Sequence, residues 1–158
     1  MALTLPVCCV ISSPMKISLG TDHAGYAAKE IVKKHLEGRG ITVVDFGAFS
    51  DERCDYPDFV RPAAEAVAKG EVDGGNVFGG SGNGEAIVAN KVKGIRCGVV
   101  WNEESAHLTK SHNDANVISI GGRMVEARLL PAVVDAWLDT TFEGGRHVQR
   151  LEKIHAAE

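Results

Sequence analysis

Five short apolar or β-branched runs alternate with five amphipathic stretches along the chain, and few folds accept that order. The runs are Lys16–Gly20 (KISLG), Ile41–Phe46 (ITVVDF), Gly75–Phe78, Ile95–Trp101 (IRCGVVW) and Val117–Ile120, and each reads as a strand. Helices are expected at Tyr26–Glu37, from Pro57 to about Lys69, from the glycines after Phe78 to about Asn90, at Asn102–Ser111 and at Val125–Leu138. In the first of these, Ala28, Ile31, Val32, His35 and Leu36 mark one face, and Gly38 and Gly40 stop it. Pro57 suits the first turn of its helix, as Glu103 and Glu104 suit theirs. Each connection is long enough for a crossover, so the pattern implies an α/β sandwich: a five-stranded parallel sheet with helices on both faces. A break at Thr140–Gly145 precedes a C-terminal helical arm, Arg146–Ala157.

In open sheets of this kind ligands bind beyond the C-terminal strand ends. The stretch Gly74–Lys91 (GGNVFGGSGNGEAIVANK) places a strand, a turn poor in Cβ atoms and a helix N-terminus in succession. Glycine lets backbone amides crowd around an anion, and the helix dipole reinforces them. Yet Glu85 puts a carboxylate inside that turn. A nucleotide phosphate loop would need lysine after Gly84, and a dinucleotide fingerprint starting at Gly80 and Gly82 would need glycine at position 85. Two readings of Glu85 stand: a capping glutamate held by the dipole, or a base beside an anion hole.

The other polar turns bear on that choice. Asp22 and His23 follow the first strand, either as a loop hydrogen-bonded pair or as a catalytic one. His112–Asn113–Asp114 can be a helix C-cap with a left-handed asparagine, and Arg123 follows two glycines. Arg146, His147 and Arg150 read in isolation as a solvated helix face. If the TDH, GGSGNGE, HND and GGR turns meet at one sheet edge, they assemble a base, an amide nest, a His/Asp pair and arginines. That set suits proton abstraction beside the carbonyl of a small phosphorylated molecule.

Composition removes other classes. The 158 residues fit one domain, with 44% hydrophobic and 24% charged residues and a formal net charge of −4. That charge argues against non-specific nucleic-acid binding. Cys8, Cys9, Cys54 and Cys97 form no C-x-x-C pair and suit a reducing compartment, and the six histidines show no zinc-site spacing. The opening MALTLPVCCVISSP lacks the basic start of a signal peptide and is too short to span a membrane. Residues 1–14 are expected to be a non-core extension, 15–158 the domain, and the location cytoplasmic.

DHAGY, DYPD, GGSGNGEAIVANK, HNDAN, GGR and GGRHVQR, in that order, resemble the ribose-5-phosphate isomerase B family, part of the wider RpiB/LacAB sugar-phosphate isomerase group. The likeness runs from Met15 to about Ile154. It implies a Rossmann-like three-layer fold and a metal- and cofactor-independent aldose–ketose isomerase acting on ribose 5-phosphate through a cis-enediolate. It also implies a homodimer or tetramer with shared active sites. By motif, Asp22 and His112 would open the sugar ring, and His23, Arg123, Arg146 and Arg150 would bind phosphate. Tyr56 would line the pocket, Asn113 would contact sugar hydroxyls, and Gly80, Ser81, Gly82, Asn83 and Gly84 would surround the anion hole. The HND turn and the arm would come from the neighbouring subunit. Many members carry a cysteine base where this chain has Ser81; the others place a glutamate where Glu85 stands. Glu85 is therefore expected to be the base, kept ionised by the helix dipole at some cost in basicity unless burial offsets it. Ser81 would move a proton between the enediolate oxygens. Another tetrose, pentose or hexose phosphate, or a non-catalytic sugar-phosphate binder, are the alternatives. A dehydrogenase using Glu103 as its ribose-binding acid is disfavoured by the broken fingerprint.

Overall fold

The computed structural model describes residues 13–158, so most of the expected N-terminal extension, with Cys8 and Cys9, lies outside the described residues. The strands are β1 (Lys16–Thr21), β2 (Thr42–Asp45), β3 (Gly74–Gly79), β4 (Cys97–Val100) and β5 (Val117–Gly121). The helices are α1 (Tyr26–Gly38), α2 (Pro57–Ala68), α3 (Asn83–Asn90), α4 (Glu103–Asn113), α5 (Leu130–Leu138) and α6 (Val148–His155). All strand pairs are parallel, in the order β2-β1-β3-β5-β4.

Steps from β1 to β2 and from β4 to β5 run one way across the sheet and use α1 and α4. Steps from β2 to β3 and from β3 to β4 run the other way and use α2 and α3. The core divides accordingly. Val32, Leu36, Ala106, Val133 and Trp137 pack with Ile17, Leu19, Phe78, Ile118 and Ile120 on one face. Val60, Ala63, Val67 and Ala89 pack with Val77 and Val117 on the other. Opposite steps over opposite faces are what a single crossover hand requires. The expected three-layer architecture is therefore present. Neighbouring strands β1 and β3 send the chain in opposite directions, which opens a crevice at their C-terminal ends.

Local chemistry adjusts several boundaries. The helix expected from Val125 begins as a 3₁₀ turn at Ala127–Leu129 and becomes α-helical at Leu130. Pro131, lacking an N–H, fits only the first turn of α5. Asn102 caps α4 rather than joining it: its side chain accepts from Ser105 N at 2.8 Å while Ser105 Oγ accepts from Asn102 N at 3.1 Å. At the other end α4 runs through His112 and Asn113, and Asp114, not Asn113, adopts the left-handed conformation (φ 43°). The buried face of α1 is Ala28, Lys29, Val32 and Leu36, whereas Ile31 is exposed. Among the described residues no helix is long and apolar enough to cross a membrane.

Candidate active site

The turn between β3 and α3 is held by its neighbours through its carbonyls. Thr21 Oγ1, at the end of β1, donates to Phe78 O at 3.1 Å, and Ser119 Oγ, on β5, donates to Gly82 O at 2.6 Å. The amides of Gly122 and Arg123 donate to Gly79 O at 2.7 Å and Gly80 O at 3.1 Å. Gly82 caps α3 with φ 83°, a conformation that only glycine takes readily. Thr21 and Ser119 are fully buried and were not foreseen as site residues; the available signal was a hydroxyl inside an otherwise apolar strand.

Glu85 is the third residue of α3 and is 4% exposed. Its carboxylate lies against Gly79, where an added Cβ would overlap Oε1. A Cβ on Gly84 would fall 2.7 Å from Tyr56 Oη, so Tyr56 closes over the same turn. Burial pushes the Glu85 carboxyl above its ordinary value, and the charge of Asp22 adds to that. The backbone amides of Glu85 and Gly82 pull the other way without reversing it. Burial thus outweighs those amides, and Glu85 is a stronger base than an exposed glutamate. Its capping contacts and its burial coexist.

Around Glu85 a cleft of about 520 Å³ is lined by Asp22, His23, Tyr56, Gly80, Ser81 and Arg123 among others. Asp22, 8% exposed, accepts from Ala24 N at 2.9 Å and Gly25 N at 3.1 Å, which fixes the entry to α1. His23 Nδ1 lies 3.2 Å from Cys54 O and 3.4 Å from Cys54 N, on the loop that also delivers Tyr56. Ser81 is exposed, and its Oγ accepts from Asn83 N at 3.3 Å. Arg123 joins the glycine turn, with Nη1 3.4 Å from the Cβ position of Gly80. Cys97 supplies no thiolate: burial, then the nearby Glu85 charge, pushes it up to about 12.

His112, Asn113, Arg146 and Arg150 are not in this cleft. Helix α4 runs back from the C-terminal end of β4, and Arg96, which leads into β4, donates through Nε to Asn113 O and Asp114 O at 3.1 Å. The HND turn therefore sits at the N-terminal strand ends, which corrects the expectation of a single shared edge. There His112 stacks on His147, with centroids 4.3 Å apart and planes at 14°. His147 is 5% exposed, so the arm is not simply a solvated face, and its Nε2 has no hydrogen-bond partner. Arg150 Nη1 lies 3.4 Å from His147 Nδ1. Burial lowers the His147 pKa, and His112, Arg146 and Arg150 lower it further, while Glu143 opposes them. His112, Glu143 and His147 hold donor atoms within 4.8 Å of one another. Nearly parallel rings aim their in-plane lone pairs side by side rather than at one point, however, and two arginines make the spot cationic. It suits an anion better than a metal ion.

The model of the family described as Ribose/Galactose Isomerase matches residues 17–154. The chain belongs to the ribose/galactose isomerase family. Ribose-5-phosphate isomerase B of Escherichia coli strain K12 is 48% identical over 143 residues, which is 90% of this chain and 96% of that protein. The structure of Clostridium thermocellum ribose-5-phosphate isomerase B superposes with a TM-score of 0.89 at 46% identity, over 90% of this chain and 97% of that one. A Mycoplasma genitalium ribose-5-phosphate isomerase B solved with bound ribulose 5-phosphate has a TM-score of 0.86 at 37% identity, covering 90% and 95%.

Proposed function

We propose that the protein interconverts ribose 5-phosphate and ribulose 5-phosphate through a cis-enediolate. The single observation that carries the reading is Glu85, a buried carboxylate of raised basicity inside a turn whose carbonyls are drawn into the protein. The pentose phosphate is favoured by the named activity of the relatives and by the ribulose 5-phosphate held by the Mycoplasma protein.

Asp22 and His112 open the furanose ring. Glu85 then takes the proton from C2, and the electrons of that bond form C1=C2 as the carbonyl pair moves onto O1. The amides of Gly80–Gly84 meet the negative oxygen, where each well-placed donor contributes on the order of 3 kcal/mol. Ser81 carries the O2 proton to O1, and Glu85 returns its proton to C1. Protons and electrons balance within the substrate, so the step calls for no cofactor. His23 and Arg123 bind the phosphate end with Arg146 and Arg150, Asn113 meets the sugar hydroxyls, and Tyr56 walls the pocket.

Because His112, Asn113, Arg146 and Arg150 lie at the opposite strand ends, they reach the cleft only from a second copy, which makes the working form a homodimer or a larger even assembly. Glu85→Gln is expected to lower kcat by at least about 10²-fold while ribose 5-phosphate binding stays measurable by calorimetry. Full activity in that variant would overturn the assignment.

A further inference from the structure

The largest fully buried side chain among the described residues is that of Lys29, and the chemistry above makes no use of it. Its Nζ donates to Asp45 Oδ1 at 2.9 Å and Oδ2 at 2.8 Å and to Ala48 O at 2.8 Å, with Glu30 Oε1 at 3.2 Å. Asp45 also accepts from Lys33 Nζ at 3.2 Å and from Gly47 N at 2.9 Å. The rings of Tyr26 and Phe49 flank the ammonium, with centroids at 5.4 and 5.2 Å. A buried charge is costly even when paired, and an apolar side chain of similar volume often stabilises a fold as well. What an ion pair adds is one particular arrangement of the parts it joins.

The parts joined here are two walls of the cleft. Lys29 sits on the first turn of α1, directly after the Asp22–Gly25 turn that carries Asp22 and His23. Its acceptors Asp45 and Ala48 start the segment that leads to Cys54, the backbone neighbour of His23, and to Tyr56, which closes on Gly84. The same segment is stitched to β1 by Thr21 N to Gly47 O at 2.7 Å and Ala48 N to Thr21 O at 3.0 Å. We infer that Lys29, through Asp45 and Ala48, is a positioning residue that braces the α1 entry against the 47–56 loop and so sets where His23 and Tyr56 meet the substrate. The inference rests on the isomerase reading above.

Removing Lys29 alone leaves the Asp45 carboxylate only Lys33 and Gly47 N, so the test uses the full-length double variant Lys29→Met/Asp45→Asn, with Asp45→Asn alone as a companion that keeps one acceptor for both Gly47 N and Lys29. His23 and Tyr56 touch substrate before and during reaction, so their displacement weakens binding in both states. The double variant is expected to raise KM for ribose 5-phosphate about 10-fold with kcat within about twofold, and Asp45→Asn to raise KM about threefold. Unchanged KM and kcat in a folded variant, with only the melting temperature altered, would reduce the brace to a stability device and overturn the inference alone. If the double variant does not fold, an unchanged KM in Asp45→Asn overturns it equally. A wild-type protein inactive on ribose 5-phosphate would overturn the functional reading, and this one with it.

Discussion

The cleft at the C-terminal strand ends and the histidine–arginine cluster at the N-terminal ends are built on opposite principles. In the first, polar groups are buried and fixed by backbone: Glu85 against Gly79, Asp22 on two amides, and turn carbonyls tied to β1 and β5. In the second, charge lies near the surface on α4 and the arm, Arg146 and Arg150 are exposed, and the buried Nε2 of His147 makes no hydrogen bond, with Glu143 Oε2 3.6 Å away. A preorganised dipolar site stabilises charge that appears during reaction, because its groups need not rearrange. A cationic surface cluster suits a charge that the ligand already carries. One half fits the proton transfer and the other fits the anchoring, and within one chain they are kept apart by the length of α4, about 16 Å for its eleven residues.

The sharpest way to break this division is to split it between chains. Glu85→Gln and His112→Ala should each be nearly inactive alone, yet mixing them under exchange conditions should restore about a quarter of wild-type activity, since half of randomly paired dimers carry one intact composite site. No recovery would show that each chain completes its own site. A smaller but still large effect is expected of Gly79→Ala. The added methyl takes the place of the Glu85 carboxylate, and a base displaced by about 1 Å costs on the order of 10²-fold in kcat. Unchanged turnover would show that the base is not seated there.

The smallest effect sharpens the electrostatics. A base at Glu85 must act deprotonated, so the acid limb of kcat/KM should lie above the ordinary glutamate value of 4.5. Asp22→Asn removes a repelling negative charge, makes Glu85 easier to ionise, and should move that limb to lower pH at reduced overall rate. A limb that stays in place would uncouple the two carboxylates.

Much of this was legible in the sequence because it follows from period and punctuation. Strand and helix repeats gave the sheet and its crossovers, and the glycines around Ser81 marked the turn. Three-dimensional neighbours were not legible. Lys29 shares a helix face with Val32 and Leu36, but its charge argues for a solvated side chain, and only its partner sixteen residues on explains its burial. His147 looked solvated between two arginines because its shelter, the ring of His112, is thirty-five positions away in the chain. HND closes α4 and precedes β5, so element order alone puts it at the N-terminal strand ends; residue type, not position, is what suggests grouping it with the turns that follow strands.

Gly79 carries a last consequence. Its backbone needs no unusual conformation; the missing side chain is simply the volume in which the Glu85 carboxylate rests. A base confined in this way has few rotamers to lose when the reaction begins. The ordering of that side chain was completed when the protein folded. The isomerisation barrier should accordingly carry little activation entropy from Glu85, and widening its seat would show first as a changed temperature dependence of the rate.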